Sequence, residues 1–355
     1  MLGRRALEVS RLGLGLAAVG RPGYITLGRA RDLGATRTPE AMFARTADLL
    51  DAARTAGVRY VDAARSYGRA EDFLARWLEV RGVARSELTV GSKWGYRYTA
   101  GWAVNAPVHE QKDLSPSRFH GQLAESRALL GDWLDLYEIH SATAESGCLT
   151  DEHLLRVLVE ARRGGAFRAV GLTLSGPTSD RALDLALAAR VDGELVFDVV
   201  QATFNLLEPS LAARLAVAHD AGLGVIVKEV HANGRLTDVN DRPEDAALLA
   251  QLRDVVGGMP LDRLAIGFAL AHPFVDVVLS GAATVAQLSS HLAAADGPAV
   301  DVGALGGMAE PPEDVLDHQG VEVAAEGQEP GAAAGDPEEA VGEAVGALGG
   351  GQAPP

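Results

Sequence analysis

Four residues of this 355-residue chain have types and settings suited to acid–base chemistry. The stretch GVRYVDAARSYG, 57 to 68, places Asp62 at the end of a short apolar run and Tyr67 five residues later, beside Gly68. TVGSKWG places Lys93 at the end of a second run, and LDLYEIHSAT places His140 at the end of a third. A phenol titrates at about pH 10, so Tyr67 donates a proton near neutrality only if a neighbouring cation favours its phenolate. Lys93 is the candidate cation. A partly buried ammonium needs a partner, which Asp62 would supply. Taken singly, each residue also has a plainer reading: a turn tyrosine, an ion-paired lysine, a capping aspartate, a strand-end histidine with a structural hydrogen bond.

The elements that must position these groups follow from the pattern of the chain. Apolar runs ending at about 16, 62, 93, 140, 174, 203, 228 and 279 read as eight strands. Most are continuously apolar, as strands buried on both faces are. Helical stretches lie between them. Thr38-Pro39 and Ser115-Pro116 carry the signature of helix starts, and Gly57, Gly131 and Gly164 that of helix stops. Strictly alternating strands and helices, with right-handed crossovers, favour a (β/α)8 TIM barrel over two doubly wound domains. In such barrels, chemistry sits at the C-terminal strand ends, where Asp62, Lys93 and His140 fall. The run GLGLAA, 13 to 18, meets the loose GxGxxA dinucleotide pattern. It lacks a following helix, because Gly20, Pro22 and Gly23 interrupt the chain.

In VDAARSYG, SKWG, QATFNLLEP and VVLSGAATVAQLSSHL, over about residues 9 to 295, the chain resembles the aldo-keto reductase family. That family carries an Asp, a Tyr, a Lys and a His in this order. The resemblance implies NAD(P)(H)-dependent hydride transfer, without metal, between nicotinamide and a small aldehyde, ketone or sugar. Tyr67 would then be the general acid/base that stabilises charge building on the carbonyl oxygen. His140 would hydrogen-bond or orient that oxygen. The implied cofactor contacts are Thr173, Gln201, Lys228, Gly281, Gln287 and His291, holding NADP(H) or NAD(H).

The chain also departs from the family pattern. Leu174 replaces the second residue of a Ser-Asn pair, Lys228 stands where an aromatic ring often stacks on nicotinamide, and Ser290-His291 replace a Glu-Asn pair. No Lys or Arg for a 2′-phosphate is evident, since Gly281 and Gln287 occupy those positions. Lys228 could face a cofactor pyrophosphate or an acidic substrate, or form an ion pair with Asp or Glu neighbours while Glu229 turns to solvent. Trp94, Tyr96, Tyr98 and Trp102 either line a substrate pocket or pack a loop. These departures motivate one alternative, a non-catalytic nicotinamide-nucleotide-binding redox sensor.

Composition narrows the classes. Residues 301–355 hold 12 Asp and Glu and no Lys or Arg, so only four of the sixteen net negative charges belong to residues 1–300. The expected organisation is a barrel over 1–300 and a disordered Gly/Ala/Pro/Glu-rich tail over 301–355. No basic stripe suggests a nucleic-acid partner. No apolar run is long enough to suggest a membrane span or signal peptide. A lone cysteine, Cys148, fits the reducing cytoplasm, and no His or Cys pair has metal-ligand spacing.

Overall fold

The computed structural model of the chain describes residues 1–23, 27–297 and 300; the expected tail at 301–355 lies outside the described residues. Eight parallel strands close into a barrel: β1 (Leu12–Gly15), β2 (Tyr60–Asp62), β3 (Thr89–Trp94), β4 (Leu134–Ala142), β5 (Ala169–Leu174), β6 (Val199–Thr203), β7 (Gly224–Lys228) and β8 (Val277–Ser280). Each strand pairs with its sequence neighbours, and β1 closes the ring on β8. The fold is the expected (β/α)8 barrel.

The helices begin where side chains can satisfy their free amides. Thr38 accepts from the amide of Ala41 at the start of helix Pro39–Thr55, and Ser115 from that of Arg118 at Pro116–Leu130. Asp151 caps Glu152–Arg163, and Thr284 with Gln287 forms a reciprocal capping box at Val285–Ala295.

Because side chains alternate across a strand, positions two apart share the barrel interior. Its lower layer is apolar: Tyr60, Leu136, Ala169, Val199, Ile226 and Val277 pack together. Leu2 and Leu7, joined by an antiparallel bridge, are fully buried in the same cluster. Two positions further along β2, β4 and β6 come Asp62, Glu138 and Gln201. The register sets these groups side by side: Asp62 pairs with Gly91, Lys93 with Glu138, Glu138 with Gly171, and Thr173 with Gln201.

Several features differ from the sequence reading. A short helix, Arg29–Leu33, lies between β1 and the helix that starts at Pro39. Two short hairpins also appear, pairing Tyr96–Tyr98 with Glu110–Lys112 and Arg190–Val191 with Glu194–Leu195. Their polar, two- or three-residue strands carry too little alternation to register as strands. The helix after β6 spans Ala212–Asp220. The glycines of β1 serve packing: a Cβ on Gly13 would lie 2.8 Å from the Tyr60 ring.

Candidate active site

Lys93 is 0 % exposed, which commits its ammonium to protein partners. It forms an ion pair with Asp62 and donates to the carbonyl of Ala63 at 3.1 Å. Asp62 is also held from its other oxygen, by the Tyr60 hydroxyl at 3.3 Å and the Gln201 amide at 3.0 Å. Burial, reinforced by Asp62 and Glu138, pushes the Tyr60 phenol well above its ordinary value, so it stays a donor.

Tyr67 sits in the turn that follows β2. Arg65 N bonds to the carbonyl of Lys93 at 3.0 Å, and Arg69 N to that of Gly20 at 2.8 Å. Gly68, at φ +62°, brings its backbone so close to Gly20 that a Cβ would meet the Gly20 oxygen at 2.6 Å. The turn sets the Tyr67 ring with its centroid 5.0 Å from Lys93 Nζ and 5.9 Å from the Arg21 guanidinium. His140 meets Tyr67 edge-on, with centroids 5.5 Å apart, and Tyr96 in the same way at 5.0 Å. Its Nδ1 lies 3.4 Å from Ser66 Oγ. Burial, then the charges of Lys93, Arg21, Lys228 and Lys112, hold His140 well below the usual imidazole range, so the ring is neutral. Immediately beyond it the ladder shifts register, and Ser141 takes a left-handed φ of 56°. The Ser141 amide then donates to Thr173 Oγ1 at 2.7 Å. This irregularity, of a kind that clusters beside active sites, re-aims the end of β4.

These groups converge on a cavity of about 300 Å³ at the C-terminal ends of the strands. Asp62, Tyr67 and His140 line it, with Lys93 behind them. Of the expected cofactor residues, Thr173, Gln201, Lys228 and Gly281 also line it. Gln287 and His291 do not. Gln287 Oε1 caps the last helix by accepting from the amide of Thr284, and also from that of Ala283, while its Nε2 donates to Asp32 at 2.8 Å. His291 is buried against His231, centroids 4.5 Å apart, and bonds Ser280 Oγ through Nδ1 at 2.8 Å. Lys228 pairs with Glu229 and donates to Thr203, both at 2.7 Å. Glu229 is therefore turned to Lys228 and not to solvent. Burial would raise its carboxyl, but Lys228 prevails and holds it below the ordinary range.

The aromatic loop divides. Tyr96 lines the cavity, whereas Trp94 is fully buried against Phe119 and Trp102 packs on Phe73. The sequence reading missed Arg21, Glu110, Glu138 and Ser175. Arg21 and Glu110 form a 3.1 Å ion pair on the cavity wall, and Ser175 supplies a polar side chain beside buried Leu174. A two-residue spacing back from His140 pointed to Glu138; nothing local pointed to the Arg21–Glu110 pair. Among the described residues, no group of three His, Cys, Asp or Glu is placed to hold a metal ion, and no helix is long and apolar enough to cross a membrane.

The chain is thus a closed (β/α)8 barrel that gathers a carboxylate, an ammonium, a phenol and an imidazole at one rim. The Aldo/keto reductase family model matches residues 12–301, and the chain belongs to that family and is an oxidoreductase. It is 26% identical over 273 residues to a D-threo-aldose 1-dehydrogenase of Pseudomonas sp, covering 68% of this chain and 80% of that protein. It is 25% identical over 305 residues to an L-galactose dehydrogenase of Arabidopsis thaliana, covering 82% and 86%. The fold is similar to that of the holo form of aldo-keto reductase AKR11C1 from Bacillus halodurans, with TM-score 0.70, 21% identity, and 88% and 96% of the two chains covered. It is also similar to the glycerol dehydrogenase AKR11B4 from Gluconobacter oxydans, with TM-score 0.65, 19% identity, and 88% and 92% covered. The redox-sensor alternative is not favoured.

Proposed function

We propose that this protein interconverts a small carbonyl compound, with aldoses the leading class, and the matching alcohol, with Tyr67 as general acid/base. The observation that carries this reading is the approach of the Lys93 ammonium to within 5.0 Å of the Tyr67 ring centroid, beside a neutral His140 at the cavity. A cation beside a phenol favours phenolate and so brings proton transfer toward neutral pH. Asp62 orients Lys93, and His140 fixes the carbonyl oxygen next to the phenol.

The residues present fit a nicotinamide dinucleotide. Gly281 leaves open space where a Cβ would stand, Thr173 and Gln201 offer polar groups, and Lys228 offers a cation. A bound nicotinamide would supply or accept the hydride. Asp32, joined to Gln287, sets an anion beside the segment that the resemblance assigns to the adenosine phosphate, which favours NAD(H) over NADP(H). The two aldose-type dehydrogenases among the relatives support a sugar substrate. A cytoplasmic setting suits the buried, unpaired Cys148.

The test mixes purified protein with NADH or NADPH and a panel of aldehydes, then with NAD+ or NADP+ and aldoses, following nicotinamide absorbance. Tyr67→Phe is expected to lose at least about a hundredfold in turnover while still binding cofactor by calorimetry. Unchanged turnover in that variant overturns the role of Tyr67.

A further inference from the structure

We propose that Glu138 is a positioning residue of this site: its buried carboxyl, bridged through Gln201 to Asp62, sets how much of the Lys93 charge reaches Tyr67. The proposal rests on the reading of Tyr67 as the acid/base.

Glu138 stands on β4 in register with Lys93 on β3 and Gly171 on β5, and it is 0 % exposed. Gln201 Nε2 donates to Glu138 Oε2 at 3.3 Å and to Asp62 Oδ1 at 3.0 Å, so one amide group spans both carboxyls. Glu138 Oε1 has no hydrogen-bond partner among the described residues. Gly171 makes the room: a Cβ there would lie 2.7 Å from Glu138 Cγ and 3.2 Å from Oε1. The chain thus reserves space inside the barrel for a carboxyl group that it satisfies only in part.

An ionised carboxylate with half its acceptors unmet is costly in a buried site, whereas the acid form is tolerated. The charged and titratable groups acting on it are Lys93 from β3 and Asp62 and Tyr60 from β2, while His140 follows two residues on along its own strand. From β5 and β6 come Gly171 and the uncharged Thr173 and Gln201. Burial pushes Glu138 up to about 8, Lys93 pulling down and Asp62 adding to the rise. Tyr60 stays protonated and His140 stays neutral, so neither changes charge as Glu138 does.

Two electrostatic states follow. With Glu138 protonated, one ammonium faces one carboxylate, Asp62. With Glu138 ionised, two carboxylates share that ammonium, and phenolate at Tyr67 is opposed.

The experiment titrates tyrosinate absorbance in the full-length protein without cofactor. Subtracting the Tyr67→Phe trace in each background isolates Tyr67. Above about pH 8, where the wild-type carboxyl is ionised, Glu138→Gln, nearly isosteric, is expected to raise the phenolate fraction of Tyr67 about tenfold and lower its midpoint by about one unit. Glu138→Asp, which keeps an anion, is expected to stay near the wild-type midpoint. Turnover of the wild type in the oxidising direction is expected to bend on crossing about pH 8, and that bend to vanish in Glu138→Gln. If the amide is not accommodated, Glu138→Met should give the same shift. A Tyr67 midpoint above about 8 that Glu138→Gln and Glu138→Met leave unmoved, or one well below 8, where the carboxyl is already uncharged, overturns the proposal for Glu138 alone. A Tyr67 midpoint near that of a free phenol, with full turnover in Tyr67→Phe, overturns the acid/base reading beneath it as well.

Discussion

Replacing Lys93 by methionine removes the cation beside Tyr67 while keeping the length of the buried side chain. At 5.0 Å from the ring centroid, and at an effective dielectric of about 20, a unit charge is worth about 3 kcal/mol, or about two pKa units. The ion pair with Asp62 offsets part of this, so the expected loss in turnover at neutral pH is roughly tenfold to a hundredfold. A second consequence is structural. Asp62 is left buried with only the Tyr60 and Gln201 donors, an unpaired charge costing about 3–5 kcal/mol. The double variant Asp62→Asn/Lys93→Met removes the stranded charge, so it should regain most of the stability and none of the turnover. Denaturant unfolding reads the first quantity, and nicotinamide absorbance over the pH range reads the second. Turnover within threefold of wild type in Lys93→Met, or turnover that returns together with stability in the double variant, would refute the reasoning.

Two further expectations concern other parts of the molecule. Glu110→Gln breaks the Arg21–Glu110 pair, whose side chains are only 10% and 12% exposed on the cavity wall. KM for aldoses should rise about tenfold, with kcat nearly constant and KM for a simple aliphatic aldehyde unmoved. An equal rise for both substrates would assign the pair a purely structural part. Burial holds His231 and His291 below the ordinary imidazole range, so the unfolded chain takes up protons at these sites first as pH falls. Stability should therefore drop as the pH is lowered through about 6.5 toward the folded-state values, and His291→Gln should flatten that slope in thermal melts.

Much of the barrel was legible because its strands are short, continuously apolar and punctuated by helix caps that the structure uses as written, at Thr38 and Ser115. Asp62, Lys93 and His140 could be set on one rim because strand direction alone fixes which end they occupy. The contacts that tune them were not legible. Gln201 meets Asp62 across 139 residues of sequence, a pairing created by barrel closure and register and not by any local pattern. Arg21 and Glu110 meet only because a polar hairpin folds back over the mouth. The aromatic loop divided because Trp94 belongs to β3 and points into the packing beneath it, while Tyr96 begins the hairpin. Glu138 lay within reach of a strict two-residue count back from His140.

The bridge between Leu2 and Leu7 makes the barrel a vessel with one door. Those leucines pack with Tyr60, Leu136, Val199, Ile226 and Val277 as a largely apolar stopper at the N-terminal end of the barrel. Anything approaching the site from that end meets this packed layer first, with the Tyr60 hydroxyl turned up toward Asp62. Trimming the first seven residues would unseat the stopper and let water into the vessel from below.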